Sequence, residues 1–173
     1  LVNQGLKPEN YEIIFVDDGS ADGSYNLLCK YAEMHSQIRV IHQENGGVSI
    51  ARNTGLKNSR GKYVYFCDGD DYLAYGGLNK VVQLMESQQA DTASFGFVEV
   101  KEDECTKTLL EDTLELDWYS GKKDPFYSGN VWRFVFARKL IVENNIEFVL
   151  GMRYGEDELF VYEVSRYINF EKH

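Results

Sequence analysis

Aspartate gathers at two places in this chain where it could do chemistry. Asp17-Asp18-Gly19-Ser20 closes the apolar run Glu12-Ile-Ile-Phe-Val16, and Asp68-Gly69-Asp70-Asp71 closes Lys62-Tyr-Val-Tyr-Phe-Cys67. Carboxylates held together repel and raise one another's pKa unless something positive sits among them. Oxygen donors without His or Cys suit a hard divalent cation, Mg2+ or Mn2+, better than zinc. Capping of a following helix accounts for one acid per turn, but not for two acidic turns that both end apolar runs. Between them lies Gly46-Gly47-Val-Ser49-Ile-Ala-Arg52-Asn53. Its glycines permit close backbone approach, its helix N-terminus favours an anion, and Arg52 and Asn53 offer donors to a phosphate or ribose. A plain turn followed by a solvated arginine is the blander reading of the same residues. Tyr154-Gly155-Glu156-Asp157-Glu158 adds a third acidic cluster, which periodicity alone reads as the ordinary first turn of a helix.

The elements that must position these groups are legible through the first hundred residues. Continuous apolar runs such as Glu12 to Val16 are typical of strands buried on both faces of a parallel sheet. Ile38 to Ile41, Lys62 to Cys67 and Thr92 to Val100 follow as further strands. Helical spacing joins Leu27, Leu28, Tyr31 and Ala32 behind a cap at Asp22, and helices are also expected from Ser49 to Asn58 and from Gly77 to Gln89. Such alternation predicts a mostly parallel sheet with helices on both faces. Right-handed crossovers bring the carboxyl ends of parallel strands to one edge, where open α/β sheets bind ligands. All five aspartates, 17, 18, 68, 70 and 71, are therefore expected on one rim. Beyond Val100 the pattern weakens. Lys101 to Lys123 is acidic and irregular, a hairpin or a loop over the site. Trp132 to Phe136 is rich in aromatics, and short helices are expected from Arg138 to Asn144 and from Asp157 to Ser165.

Composition narrows the function. A chain of 173 residues, 43% apolar, fits one domain with a packed core. Twelve tyrosines suit stacking on sugars and bases, or simply half-buried strand positions. A net charge of −10 argues against nucleic acid and anionic membrane surfaces as partners; a small phosphate-bearing ligand then needs an intervening cation. Cys29, Cys67 and Cys105 are odd in number and widely spaced, which suits neither a disulfide framework nor zinc and points to a reducing, cytoplasmic setting. No apolar run approaches the ~20 residues that span a bilayer. Leu1 in place of Met, Leu1 to Lys7 reading like the tail of a helix, and a strand-like run broken off at His173 suggest a piece of a longer chain, so a missing leader or anchor carries little weight. His35 and His42 read as surface or strand residues.

Four stretches in order, Tyr11-Glu-Ile-Ile-Phe-Val-Asp-Asp-Gly-Ser20, Asn45-Gly-Gly-Val-Ser-Ile-Ala-Arg-Asn53, Gly61-Lys-Tyr-Val-Tyr-Phe-Cys-Asp-Gly-Asp-Asp71 and Gly155-Glu-Asp157, resemble the family-2 inverting glycosyltransferases of bacterial cell-surface glycan type. The resemblance implies a GT-A fold: a Rossmann-like, mostly parallel α/β sheet flanked by helices, whose first strand would precede Leu1 and lie centrally. It implies a single domain over residues 1–173, with a nucleotide-binding half (1–100) and an acceptor-side half (101–173). By resemblance, Asp17 and Asp18 contact base and ribose, and Arg52 and Asn53 line the nucleotide pocket. Asp68 and Asp70 form the D-x-D motif that holds nucleotide and Mn2+ or Mg2+, with Asp71 in support, and Asp157 is the general base. The implied reaction moves a sugar from a nucleoside diphosphate sugar, a UDP sugar, to a hydroxyl of a glycan or lipid-linked saccharide. It would run in the cytoplasm, at the inner face of the membrane, with any peripheral membrane association made through segments not in this chain. Two other readings stay open: a non-catalytic sugar-nucleotide-binding domain, and a nucleotidyltransferase, which would favour a glycine- and lysine-rich loop after the first strand.

Overall fold

The computed structural model describes residues 1–94, 96 and 129–168. In chain order the described elements are β1 (Ile13–Asp18), α1 (Ser24–Met34), β2 (Ile38–Gln43), α2 (Val48–Asn58), β3 (Tyr63–Tyr65), α3 (Gly77–Gln88), β4 (Thr92–Ser94), β5 (Phe134–Ala137), α4 (Arg138–Glu143) and α5 (Glu156–Ser165). Short 3-10 turns occupy Pro8–Asn10 and Val131–Arg133. Most boundaries fall within a residue or two of those expected from periodicity. The strand expected from Thr92 to Val100 is seen only as β4, and the 101–123 stretch lies outside the described residues.

Two departures have local causes. Residues 1–7 are not the tail of a helix. Gly5 sits at φ +69 and Pro8 follows, so the segment bends instead. It is fastened to the start of α3, where the buried Gln4 side chain accepts from the Leu78 amide at 3.2 Å and Asn3 accepts from the Gly76 amide at 3.3 Å. The second departure is β5. Trp132 to Phe136 contains a strand, and it lies between β3 and β4, antiparallel to both. Its four residues are all buried, as the middle of a sheet covered on both faces demands.

The described strands form two sheets. β1 and β2 pair in parallel from Ile13↔Ile38 to Asp18↔Gln43, and β3, β5 and β4 form the other. A cavity of about 620 Å³ separates them, lined on one side by residues 13–16 and on the other by 63–67. Alternation along β5 splits the core. Phe134 and Phe136 join Leu56, Val64, Phe66, Phe148, Phe160 and Val161, while Val135 turns the other way to Val81, Met85 and Ala90. Phe148 and Phe160 stack with ring centroids 4.0 Å apart. The larger core thus takes side chains from both the 1–100 and the 101–173 regions, fixing α5 against β3 and α2.

Candidate active site

The two acidic turns are built differently. β1 alternates, so its last two residues diverge. Val16 faces Gly55 of α2, with 3.6 Å from its Cγ2 to where a Gly55 Cβ would be, and Asp18 follows it to the α2 side. There Asp18 accepts from the Gly46 and Gly47 amides at 3.0 and 2.7 Å and from Gln43 Nε2 at 2.7 Å. The start of α2, expected to attract an external anion, is filled by the protein's own carboxylate. These amides and Gln43 hold the Asp18 carboxyl below its ordinary range, against the upward pull of partial burial.

Asp17 turns to the α1 side. Its side chain is 1% exposed and lies 2.6 Å from His42 Nδ1, and the His42 ring packs 4.7 Å from that of Tyr25 on α1. Hydrogen bonding by Ser20, then by His42, holds the Asp17 carboxyl below its usual value. His42 is a strand residue as expected, but its pairing with Asp17 was missed. The parallel register that sets Asp17 opposite His42 is the signal that could have revealed it.

The second turn, after β3, has no such compensation at its tip. Asp70 and Asp71 are exposed. Partial desolvation against the chain, then the charges of Asp68 and Asp70, push the Asp71 carboxyl upward. Burial and the charges of Asp71 and Asp68 also lift the Cys67 thiol to about 11. Among the described residues no three His, Cys, Asp or Glu side chains converge closely enough to hold a metal by themselves. The donor chemistry fits a hard cation that takes one or two carboxylates and completes its shell with phosphate oxygens and water.

Asp68 turns inward, to Arg52. That guanidinium is the centre of the site. Nη2 donates to Asp68 Oδ1 at 2.9 Å, while Nη1 donates to Asp157 Oδ1 and reaches Glu156 Oε1 at 3.4 Å. The side chain is only 11% exposed and lies over the Phe148 ring at 5.3 Å, where aromatic contact and charge pairing reinforce each other. Asp157 Oδ2 accepts from the Val131 amide at 3.2 Å. Burial raises the Asp157 carboxyl; Arg52 and Val131 pull it down, and the charges of Glu156 and Asp68 push it up again. The result is a carboxyl held above its usual value at the start of α5.

Arg52 and Asn53 therefore act inside the protein. Asn53 makes a two-way bond with the Phe148 backbone, donating to its carbonyl and accepting from its amide, both at 2.8 Å. This fixes the segment that carries the Phe148 ring beneath Arg52. The structure brings together Arg52, Asp68, Glu156 and Asp157. It sets Asp18 at the α2 N-terminus, places Asp17 on the α1 face and leaves Asp70 exposed beside Asp68. Val131 escaped sequence reading because a backbone amide has no signature in residue type.

Mixed α/β layering, acidic turns after the strands and a part-buried acid–arginine cluster describe the class of fold and site, and a family model says which family it belongs to. Residues 1–144 match the family described as Glycosyl transferase family 2, and the chain belongs to that family. Among its relatives is the uncharacterized glycosyltransferase EpsJ of Bacillus subtilis, 36% identical over 160 residues, covering 86% of this chain and 46% of EpsJ. Another is TarP of Staphylococcus aureus, a poly(ribitol-phosphate) beta-N-acetylglucosaminyltransferase, 30% identical over 167 residues, covering 94% of this chain and 50% of TarP. The chain spans about half the length of these curated relatives. The crystal structure of S. aureus TarS residues 1–349 in complex with UDP-GlcNAc superposes with a TM-score of 0.78 at 22% identity, covering 94% of this chain and 46% of that one. The GT-A-type α/β architecture expected from the sequence is the one shared with TarS. Among the described residues no helix is long and apolar enough to cross a membrane.

Proposed function

We propose that this chain carries the donor site and the base of an inverting glycosyltransferase that moves a sugar from a UDP sugar to a hydroxyl of a surface glycan or lipid-linked saccharide. The observation that carries the reading is the Arg52 cluster, which ties the acid that follows β3 to a half-buried carboxylate of raised pKa at the start of α5. A donor-side group and a proton acceptor are thereby fixed in one frame. The UDP-GlcNAc bound by TarS, which has this fold, supports a nucleotide-sugar donor.

In this reading Asp157 takes the proton of the acceptor hydroxyl as its oxygen bonds to the anomeric carbon. The bond from that carbon to the diphosphate oxygen breaks, and the nucleoside diphosphate leaves with the electron pair. One displacement with no covalent enzyme adduct inverts the anomeric centre. Asp68 and Asp70 would hold a Mn2+ or Mg2+ ion, which supplies Lewis-acid neutralisation of the diphosphate charge. Arg52 keeps Asp68 and Asp157 from repelling each other and presents each in one rotamer. Asp18 and the Gly46–Gly47 loop mark the nucleoside end on the α2 side, with Asp17 supporting from behind through His42. The relatives named for poly(ribitol-phosphate) transfer support a surface-glycan acceptor, and an acceptor of that kind would place the enzyme at the inner face of the membrane.

The test is release of UDP from UDP sugars, with and without an acceptor glycan, in Mn2+ and in chelator. Metal-dependent turnover giving a product of inverted configuration is expected. Metal-dependent UDP binding without turnover of any UDP sugar would leave a binding domain and defeat the proposal.

A further inference from the structure

Asp157 is held on both oxygens, and the hold on Oδ2 comes from main chain. The Val131 amide donates to Oδ2 at 3.2 Å, opposite the Arg52 contact on Oδ1. That amide reaches the carboxylate because the chain at Gly129 lies directly on the first turn of α5. A Cβ built on Gly129 would stand 2.5 Å from Glu158 Cα, 2.6 Å from its Cγ and 2.8 Å from its Cβ. The nearest of these is a backbone atom, so no rotamer change relieves the contact, and any side chain at 129 would move the two segments apart. Val131 itself is fully buried, and the turn it opens is closed by the Arg133 amide on the Asn130 carbonyl at 3.1 Å. Both ends of the stretch are therefore fixed, one by close approach and the other by the core.

We propose that Gly129 and Val131 are positioning residues for the transfer step, forming a main-chain seat that holds Asp157 in one orientation toward the acceptor hydroxyl. The proposal rests on the reading of Asp157 as the base. A base must come within hydrogen-bond reach of the proton it takes, and a displacement of about 1 Å at such a group costs ~100-fold in rate. Neither residue touches donor or acceptor in this account. Both act through Asp157.

Two variants of the full polypeptide test it, each read with whichever of UDP-glucose, UDP-galactose and UDP-N-acetylglucosamine the wild type turns over fastest in Mn2+. Gly129→Ala restores a Cβ at the point of contact. Val131→Pro deletes the donor. Proline is tolerated at the first position of a helical turn, and Asn130, at φ −70 and ψ 114, already has the extended conformation that a residue before proline needs. Both variants are expected to melt cooperatively and to bind UDP within about twofold of wild type, while kcat falls ~10–100-fold. The acid limb of the pH–rate profile should move to higher pH, because the Val131 amide is one of the groups that lower the Asp157 pKa, and Arg52, Glu156 and Asp68, the other charges facing it, are unchanged. Wild-type kcat and pH profile in either folded variant would overturn the proposal. So would loss of folding or of UDP affinity in both variants, in step with kcat, which would make the stretch a support for the fold. Asp157→Asn is measured alongside. Full activity in that variant defeats the base reading, whereas its inactivity beside a wild-type Gly129→Ala defeats only the seat.

Discussion

The two acidic turns look alike in sequence and differ in how their charge is met. After β1, Asp17 and Asp18 point to opposite faces and are satisfied from within, by His42 and Ser20 on one side and by Gln43, Gly46 and Gly47 on the other. Both carboxyls sit below their ordinary range. After β3, Asp68 is joined to Arg52, but Asp70 and Asp71 are exposed, and the Asp71 carboxyl is pushed up by partial desolvation and by the charges of Asp68 and Asp70. The same residue type therefore stabilises the fold in one turn and stores repulsion in the other. Of the two, it is the second turn that connects, through Arg52, to a second acid that is raised in pKa, and the proposed cation belongs there.

If the second region is the reacting one, its farthest member should show the largest effect. Asp157→Asn keeps the shape and removes the proton acceptor, so transfer should fall by ~10²–10⁴-fold, with UDP affinity near wild type. Equal loss of binding would make Asp157 structural. Asp70→Ala comes next: ~100-fold slower turnover is expected from losing charge stabilisation at the diphosphate, together with loss of the rise in melting temperature that Mn2+ plus UDP gives the wild type by mass action. An unchanged rise in this variant would move the cation elsewhere. Arg52→Lys replaces a forked donor by a point charge that cannot hold Asp68 and Asp157 at once. It should cost about 1–3 kcal/mol in stability and lower kcat more than it raises the UDP Kd. The reverse pattern would make Arg52 a phosphate ligand.

The smallest effect belongs to the first turn. Asp18→Asn should lower stability by about 1 kcal/mol and change kcat little. Because the folded Asp18 pKa is depressed, its contribution is present above the ordinary carboxylate range and disappears as pH falls through the lower folded value. Urea unfolding at neutral and acidic pH should show wild type and variant converging toward the acid end. A constant difference across that range would mean that ionisation of Asp18 is not what stabilises the turn.

Sequence reading was most successful where one residue pattern implies one local structure. Apolar runs ending in acids located β1 and β3, and helical spacing located α2 and α3 to within a residue or two. It was least successful where tertiary pairing decides. Phe134–Ala137 reads as an aromatic patch, because nothing local says that four buried residues will fit antiparallel between β3 and β4. The shared rim of five aspartates rests on topology that residue spacing does not fix: β1 and β3 fall in separate described sheets, and alternation sends Asp17 and Asp18 to opposite faces of β1. Arg52 and Asn53 were singled out, yet their partners Asp157 and Phe148 lie about a hundred residues away in sequence, a distance at which residue spacing carries no contact information. The Val131 amide could not be read at all.

The most direct test of the difference between the turns is calorimetric titration of UDP into wild type, Asp18→Asn and Asp70→Ala, each in Mn2+ and in chelator. Binding in Mn2+ that is lost in chelator is expected for wild type and, at reduced affinity because Asp18 holds the Gly46–Gly47 loop at the nucleoside end, for Asp18→Asn, and weak binding that chelator no longer affects for Asp70→Ala. Metal dependence that survives Asp70→Ala but vanishes in Asp18→Asn would contradict the account, because the cation would then belong to the turn whose charge the protein already satisfies.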